Sequence, residues 1–455
     1  MATPGAERGQ WGSRVGFILA AAGSAVGLGN FWRFPYVTGQ SGGAAFVVIY
    51  LACVALVCLP YLFAELVLGR HTQKNPLGAI RTIRPGSPWV LVGGLCVLTG
   101  VFILSYYAVI AGWTFGYIFK NLLFAHLDFG HFIASPWIVI PLFALFLGLT
   151  MLVVFGGVEE GIERWSKVLM PLLIGLMIVL IVRSVTLPGA EKGLAFYLKP
   201  DFSKVTGEVI VAALGQAFFS LSLGMGAMIT YGSYLSRHED VVVAGSYVAL
   251  FDTLIALMAG FMIFPAVFAT GHDPASGPAL VFIVLPEIFQ ALPLGNLIGA
   301  LFFLLLSIAA LTSTVSLLEV VVAYFVDERR WSRKRSVWVV GALTFLIGLP
   351  SALSQGTVAG LSNMDWLFGA DGLLGQHDFL SIMDAIWGNL ALALGALLIS
   401  IFVGWVWGAD RAAEELRQGS RVGPGLVRVW QFFIRYVCPV VIFIILLNVF
   451  RGYLG

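Results

Sequence analysis

Charged residues are scarce in this sequence. Asp, Glu, Lys and Arg make up 11% of its 455 residues, whereas they make up about 25% of a soluble domain. Hydrophobic residues account for 59% of the chain, and the mean hydropathy is +0.94. We therefore interpret the chain as an all-α integral membrane protein. The net charge of +2 gives no basis for binding nucleic acid.

Several functional signals are also missing. The four cysteines, Cys53, Cys58, Cys96 and Cys438, all fall in apolar runs and lack the spacing of a disulfide framework or a metal site. No small-residue cleavage site follows the first apolar run, so we expect no cleavable signal peptide. We find no nucleophile–base constellation, and the first glycine-rich segment follows no strand, as a nucleotide-binding fingerprint would. We therefore expect a protein that is not an enzyme.

Long apolar runs are the dominant feature. A helix of about 20 apolar residues crosses a bilayer, and eleven such runs are present. They lie at 15–37, 43–69, 90–119, 135–155, 167–187, 208–234, 241–269, 296–325, 336–353, 379–407 and 429–450. An odd number of spans places the two termini on opposite sides of the membrane.

Basic residues are concentrated in alternate loops, and this indicates the orientation. They lie at 70–84, 164–167, 237, 329–335 and 411–428. Loops that are rich in Lys and Arg face the cytoplasm. We expect a cytoplasmic N-terminus and an outer C-terminus.

Two of the predicted spans contain residues that disfavour a continuous helix. Residues 23–35 of the first span include three glycines and a proline, and residues 220–226 of the sixth include Gly224 and Gly226. Non-helical backbone at membrane depth is tolerated only where it is buried in protein or lines a cavity. Interruptions at matching positions of two five-span halves indicate a transporter with a binding site near the midplane.

Polar side chains within the spans suggest ligands for this site. Asp252 lies in the middle of the seventh span, where a carboxylate costs about 2.5–3.5 kcal/mol. It is either a hydrogen-bonded structural residue or a ligand of sodium, which prefers oxygen atoms as other hard cations do. Asn30 and Ser220 could complete that site. Thr312 and Ser313 either join helices or offer hydroxyl oxygens to a second cation.

Other polar residues suggest supporting and gating roles. The phenol of Tyr107 could donate to a substrate carboxylate, or it could serve in packing or as an interfacial anchor. We expect Glu65 to accept hydrogen bonds from the free amides of an unwound segment.

Four charged residues near the ends of the spans form two candidate ion pairs. We predict an outer pair between Arg33 and Asp384, and an inner pair between Arg8 and Asp327. The alternative is that each of these charges is simply solvated.

Five motifs of this chain together resemble the neurotransmitter:sodium symporter family, and the resemblance extends nearly from end to end. They lie at residues 11–14, 23–35, 161–167, 216–226 and 311–313. The number of spans and the Gly-Met-Gly sequence of the second break resemble the bacterial amino-acid branch. The resemblance implies two inverted five-helix repeats, at 15–187 and 208–407, with discontinuous first and sixth helices. Residues 1–14 would be a cytoplasmic segment, and 429–455 would hold the eleventh helix.

The resemblance also implies the binding residues. One sodium ion would be bound by the Ala25 carbonyl, Asn30, Ser220 and Asp252, together with the substrate carboxylate. A second would be bound by the carbonyls of Gly23, Val26 and Ala309 and the hydroxyls of Thr312 and Ser313. The amino-acid site would comprise Ala25, Gly27, Gly29, Ile103, Tyr107, Phe219, Ser220, Ser222, Met225, Phe282, Ser313 and Leu317.

Gating and support residues follow from the same resemblance. The outer gate would comprise Tyr107, Phe219, Arg33 and Asp384. The inner gate would comprise Arg8, Trp11, Tyr234 and Asp327. Glu65 and Gln216 would support the unwound helices.

The implied activity is sodium-coupled import of hydrophobic or aromatic L-amino acids by alternating access, with two sodium ions. Animal members of the family need chloride near the first sodium site, where many members have Asn instead of Asp252. The fixed carboxylate therefore predicts independence of chloride. Met225 replaces a phenylalanine of leucine-selective relatives, and its flexibility favours large side chains. Two alternatives are an amino-acid receptor of the same fold and a carrier of a different amino-acid-like solute. We expect a monomer or a loose homodimer in the bacterial inner membrane.

Overall fold

The computed structural model describes residues 9–123, 128–274, 280–290, 292–369 and 372–454. These residues are helical apart from their connections and one isolated bridge between Leu373 and Gln376. The helices are α1 (Arg14–Ala25), α2 (Gly29–Gln40), α3 (Ala44–Thr72), α4 (Pro76–Ile83), α5 (Val90–Leu123), α6 (Phe129–Ala134), α7 (Pro136–Phe155), α8 (Val158–Val185), α9 (Ala190–Leu198), α10 (Gly207–Ser220), α11 (Ala227–Gly232), α12 (Val241–Ala269), α13 (Leu280–Gln290), α14 (Gly295–Arg329), α15 (Arg333–Leu353), α16 (Phe379–Arg417) and α17 (Pro424–Gly452). Single helical turns lie at Phe202–Lys204, Ala359–Ser362 and Asp365–Phe368.

The predicted spans correspond closely to these helices. Nine helices of the described chain are each long and apolar enough to cross a membrane, namely α3, α5, α7, α8, α12, α14, α15, α16 and α17. The first predicted span is the pair α1 and α2, which is bent by 53°. The sixth is the pair α10 and α11. Both spans that were predicted to be interrupted are therefore interrupted.

The first break follows from local chemistry. Ser13 caps α1 by accepting a hydrogen bond from the Gly16 amide at 3.0 Å. The helix ends at Ala25, and Val26 is extended, with φ −68° and ψ 110°. The chain re-enters helix at Gly29 through a π-helical turn, a conformation that is frequent at functional sites.

The second break depends on glycine. Gly224 adopts a φ of 90°, and a Cβ at this position would overlap the backbone oxygen of Leu392. Only glycine fits both this conformation and this close contact. Ser222 also has a positive φ, of 53°, and such strained residues cluster at functional sites.

The two breaks lie at the centre of the bundle. α14 is the most enclosed span, since 83% of its most apolar window is buried, whereas the corresponding share for α17 is 28%. α1 packs against α8, α12 and α14. The unwound backbone is therefore surrounded by protein, which is the condition for non-helical backbone at membrane depth.

Candidate functional site

The first break is held by side chains from its own helix and from α5. The Leu28 amide donates to the Tyr107 hydroxyl at 3.0 Å, and the Gly27 amide donates to Asn30 Oδ1 at 3.0 Å. A Cβ on Gly27 would lie 2.6 Å from Ser313 Oγ and 2.8 Å from the Tyr107 hydroxyl. The backbone itself therefore forms the wall of the site.

A buried carboxylate lies behind this wall. Asp252, on α12, has no solvent exposure. Asn30 Nδ2 donates to Asp252 Oδ1 at 2.8 Å and to Ser220 Oγ at 3.0 Å. Ser220 Oγ in turn donates to Asp252 Oδ2 at 2.8 Å. Within the described part of the chain, no Lys, Arg or His pairs with Asp252. Its charge has only neutral partners.

A second group of oxygen atoms lies across the break, where α1 contacts α14. Ser313 Oγ is 3.2 Å from the Val26 carbonyl oxygen and 3.3 Å from that of Ala309. Thr312 Oγ1 is 2.9 Å from the same Ala309 oxygen. Gly23 is adjacent, because a Cβ there would lie 3.2 Å from the Thr312 Cβ. The structure thus brings together all five residues predicted for the second sodium site.

A cavity of about 380 Å³ adjoins the break. Ten of the predicted substrate residues line it, namely Ala25, Gly27, Gly29, Ile103, Tyr107, Phe219, Ser222, Met225, Ser313 and Leu317. Sequence reasoning missed further lining residues, among them Trp32, Tyr36, Tyr106, Ile110 and Ser316. Mostly apolar walls with a few polar groups at one end are typical of a small-molecule site.

Two predicted substrate residues lie elsewhere. Phe282 lies on α13, outside the cavity lining; it stacks on Phe129 with ring centroids 5.4 Å apart, and its carbonyl accepts from the Tyr117 hydroxyl. This placement corrects the prediction, because α13 belongs to the connection between α12 and α14. Ser220 is also absent from the cavity lining, since its hydroxyl faces Asn30 and Asp252.

The predicted outer ion pair is not formed. Arg33 and Asp384 both line the cavity, yet within the described chain neither has an ion-pair partner. The Arg33 guanidinium lies over the Phe219 ring, 4.7 Å from its centroid. Asp384 instead accepts from the Tyr106 hydroxyl at 2.8 Å and from Asn389 Nδ2 at 3.2 Å. In this arrangement of the cavity the predicted pair is therefore absent, because neutral donors hold the carboxylate.

The opposite end of the bundle, called here the Trp11 end, is closed. The Trp11 amide donates to the Tyr234 carbonyl at 3.2 Å, and its indole donates to the Tyr231 carbonyl at 2.9 Å. The Tyr234 hydroxyl donates to Glu319 Oε1 at 2.6 Å. Glu319 also forms an ion pair with Arg333. Sequence reasoning missed Glu319 and Arg333, because their contact joins the interior of α14 to the start of α15 through space.

Of the predicted inner pair, only Asp327 lies within the described residues. Asp327 accepts from the Asn75 amide at 2.9 Å and from Asn75 Nδ2 at 3.0 Å. Arg8 lies outside the described residues.

A missed carboxylate holds the N-terminal segment. Glu163 accepts from the Gly12 amide and from Ser13 Oγ, both at 2.7 Å. It lies in the motif at 161–167, and that motif was the only signal in the sequence that could have identified it.

Glu65 and Gln216 each contact one unwound segment. Glu65 Oε1 accepts from the Gly224 amide at 2.9 Å, so it satisfies a donor that the second break releases. Gln216 Nε2 donates to the Gly29 carbonyl at 3.1 Å. The two breaks are thereby linked, since Gln216 belongs to α10 and Gly29 begins α2.

Comparison with known proteins places this geometry in context. The sequence profile of the Sodium:neurotransmitter symporter family matches residues 8–137 and 134–453. The crystal structure of MhsT in complex with L-phenylalanine is similar, with a TM-score of 0.86 and 44% identity over 97% of this chain and 100% of that chain. The uncharacterized sodium-dependent transporter YhdH of Bacillus subtilis (strain 168) is 39% identical over 96% of this chain and 97% of its own length. The sodium-dependent serotonin transporter of Drosophila melanogaster is 27% identical over 98% of this chain and 77% of its own length.

Proposed function

The chain belongs to the sodium:neurotransmitter symporter family, and from this premise we propose that it imports hydrophobic amino acids together with sodium ions. The family consists of sodium-dependent membrane transporters, and the predicted fold with discontinuous first and sixth helices is confirmed. The substrate, the ions and the direction of transport are the proposal.

The main support for the proposal is the environment of the Asp252 carboxylate. It is fully buried and has only neutral hydrogen-bond partners among the described residues. An uncompensated charge in a protein interior is strongly unfavourable. A sodium ion bound by Asp252, Asn30, Ser220 and the Ala25 carbonyl would compensate it. Because Asp252 supplies a fixed negative charge beside this sodium ion, transport would not need chloride to supply one.

The second oxygen group suits a second sodium ion. Its oxygens lie 2.9–3.3 Å apart, so they are close enough together to share one ion, and a hard cation prefers oxygen ligands. Two ions carried with a zwitterion would move two charges inward. Each gains about 2.3 kcal/mol per 100 mV of membrane potential.

The substrate carboxylate would bind at the first break. The Tyr107 hydroxyl accepts from the Leu28 amide, and its own hydrogen would donate to a carboxylate placed in the cavity. Ala25, which is assigned to the first sodium ion, lines the same cavity. A carboxylate placed there would contact both Tyr107 and that ion, and this shared contact would couple the two fluxes.

The far part of the cavity would select the side chain. Ile103, Phe219, Met225 and Leu317 all line it. MhsT, to which this chain is similar, was crystallised with L-phenylalanine. An apolar cavity with a flexible methionine favours large hydrophobic or aromatic amino acids.

Alternating access would involve the two ends of the bundle. The cavity extends to Arg33 and Asp384, which are apart, whereas Trp11 and Tyr234 are joined. We assign the Arg33 end to the outside and the Trp11 end to the cytoplasm, in line with the positions of the basic loops. The N-terminus would then be cytoplasmic and the C-terminus external, and residues 15–187 and 208–407 would be the two inverted repeats.

Uptake by purified protein in proteoliposomes tests the function. An inward sodium gradient should drive accumulation of labelled phenylalanine, and replacing external chloride by gluconate should leave the rate unchanged. Competition with each of the twenty amino acids would identify the preferred side chain. Sodium-dependent binding without accumulation would instead identify a receptor, and a steep loss of uptake in gluconate would contradict the role given to Asp252.

A further inference from the structure

An arginine lies within the membrane-spanning helix α17. Arg435 is about three turns, or roughly 16 Å, beyond the start of the helix at Pro424. A charged side chain on a transmembrane helix is rare and indicates a functional contact. Arg435 does not line the transport cavity, so its contact lies elsewhere.

Arg435 has aromatic neighbours but no carboxylate partner within the described chain. Its guanidinium lies 4.6 Å from the centroid of the Trp405 ring and 5.8 Å from that of Tyr436. Its Nε is buried and has no hydrogen-bond acceptor among the residues that the structure describes. Asp410, a carboxylate on the facing helix α16, accepts from Gln431 instead, at 2.7 Å. The charge of Arg435 is therefore stabilised by ring faces alone, and it retains donors for an external acceptor.

The groove that holds Arg435 is built by a close helix crossing. A Cβ on Gly404 of α16 would lie 3.0 Å from the Ile434 carbonyl oxygen of α17. The Trp405 indole donates to the Arg435 carbonyl at 2.9 Å, so the ring is fixed against both helices. Trp405 and Tyr436 are nevertheless 52% and 47% exposed. Amphipathic rings exposed on a span are typical of the depth of lipid headgroups.

Two further arginines flank the groove. The exposed Arg84 is anchored beside Trp405, since its Nη2 donates to the Val406 carbonyl at 3.1 Å. Arg428 is also exposed, and it precedes Arg435 by two helical turns, which places it on the same face of α17. Three arginines therefore belong to the two helices that form the groove or to the segment that contacts them.

The groove lies at the Trp11 end of the bundle. Arg70 Nη1 donates both to the Glu239 carbonyl at 2.6 Å and to the Gln418 carbonyl at 3.0 Å. Glu239 itself pairs with Arg14, at the start of α1. The connection from α16 to α17 therefore belongs to the end that the proposed function assigns to the cytoplasm.

We propose that the groove between α16 and α17 binds the headgroup of an anionic phospholipid from the leaflet at the Trp11 end. The phosphate would accept hydrogen bonds from Arg435, with Arg84 and Arg428 adding attraction, and the acyl chains would follow the exposed face of α17. Basic pockets between transmembrane helices on the cytoplasmic side are known to bind such headgroups. The ligand would join α16, which carries Asp384 at its other end, to the peripheral helix α17.

Native mass spectrometry of the full chain with phosphatidylglycerol tests the proposal. Arg435→Gln should weaken retention of the lipid about fivefold, the effect of removing one basic residue near an anionic headgroup. Arg451→Gln is the matched control, because Arg451 is an exposed arginine at the other end of the same helix, and it should retain the lipid as the wild type does. Arg435→Lys should bind with intermediate strength, since lysine keeps the charge but loses the planar, stacked donors.

Further measurements distinguish an anionic lipid headgroup from other lipids and from free phosphate as the ligand. Phosphatidylcholine should be retained equally by the wild type and Arg435→Gln. Millimolar inorganic phosphate should fail to displace phosphatidylglycerol, and displacement would overturn the assignment to a lipid. Equal retention of phosphatidylglycerol by the wild type and Arg435→Gln would also overturn the proposal. If Arg435→Gln folds poorly, Arg84→Gln can replace it, because Arg84 is exposed. That variant should likewise weaken the retention of phosphatidylglycerol.

Discussion

Single residues at the first break determine what the site can bind. Asp252 supplies a fixed negative charge, and Tyr107 supplies a donor beside the cavity. Both groups lie among buried apolar side chains. A membrane protein retains such groups for a ligand. Two substitutions test that view.

Replacement of Asp252 by Asn is expected to lower sodium-dependent uptake by more than tenfold in gluconate medium. Asn preserves the size and one acceptor but removes the charge, and the loss of one partner of a buried ion pair costs about 3–5 kcal/mol. Chloride, as a mobile substitute for the lost charge, should restore part of the rate. The measurement is initial uptake in proteoliposomes. Asp201→Asn, at an exposed carboxylate, should transport normally, and sodium-coupled uptake by Asp252→Asn at the wild-type rate would remove the ion assignment.

Replacement of Tyr107 by Phe is expected to weaken amino-acid binding by about tenfold or more, because a hydrogen bond to a charged group contributes about 1.5–3 kcal/mol. Binding of sodium in the absence of substrate should be unchanged. Isothermal titration with each ligand separates the two effects. Tyr117→Phe is the matched control, since that hydroxyl donates to Phe282, outside the cavity lining. Equal substrate affinity of Tyr107→Phe and the wild type would contradict the assignment.

The identity of polar residues within the spans was visible in the sequence, whereas their pairing was not. Asp252 and Asn30 were singled out because burial of a polar group is costly unless it is hydrogen-bonded or paired, so a polar residue in an apolar run indicates a specific contact. The partners that Asp384 has in this open arrangement were not predicted. Opposite charges suggested Arg33, but the structure places the neutral donors Tyr106 and Asn389 against the carboxylate. Which donor reaches an acceptor depends on the width of the cavity, and width is a property of the assembled helices.

At the scale of elements, the two broken helices carry the function, and their breaks are maintained in different ways. The first ends at Val26 in extended backbone. The second depends on Gly224 and on Glu65, which accepts from the Gly224 amide. The positions of both breaks could be predicted, because glycine and proline act locally. The bend of 53° between α1 and α2 could not, since it is set by packing on α8, α12 and α14.

Replacement of Gly224 by Ala is expected to abolish uptake and to lower the melting temperature in detergent. The added Cβ would overlap the Leu392 oxygen, and alanine disfavours the φ of 90°. Gly215→Ala, on the helical part of the same broken span, has no atom within 4 Å of the added Cβ. It should leave uptake unchanged and raise helix stability slightly. Similar melting temperatures and uptake rates for the two variants would show that the second break does not require glycine.

At the scale of the whole molecule, the helix bundle is closed at the Trp11 end and open at the Arg33 end. Trp11 joins the N-terminal segment to Tyr231 and Tyr234, while the cavity extends outward between Arg33 and Asp384. The eleven spans and their order could be read from hydropathy, because span length is set by the bilayer. Whether each gate is open or closed could not be predicted from the sequence, because the same residues form the gate in both states. The two states differ in which hydrogen bonds those residues make.

Sodium and substrate together are expected to close the open end, because the carboxylate of the substrate would draw Tyr107 and the first break toward one ion. Leu380 lines the outer part of the cavity, and the four native cysteines are buried. A Leu380→Cys thiol should therefore react readily with a soluble maleimide in sodium alone, and several-fold more slowly once phenylalanine is added. Closure would exchange the Tyr106 bond of Asp384 for one to Arg33, so Asp384→Asn in the same background should reduce the protection. A thiol that reacts at one rate in sodium alone and with phenylalanine would show that the ligands do not move this gate.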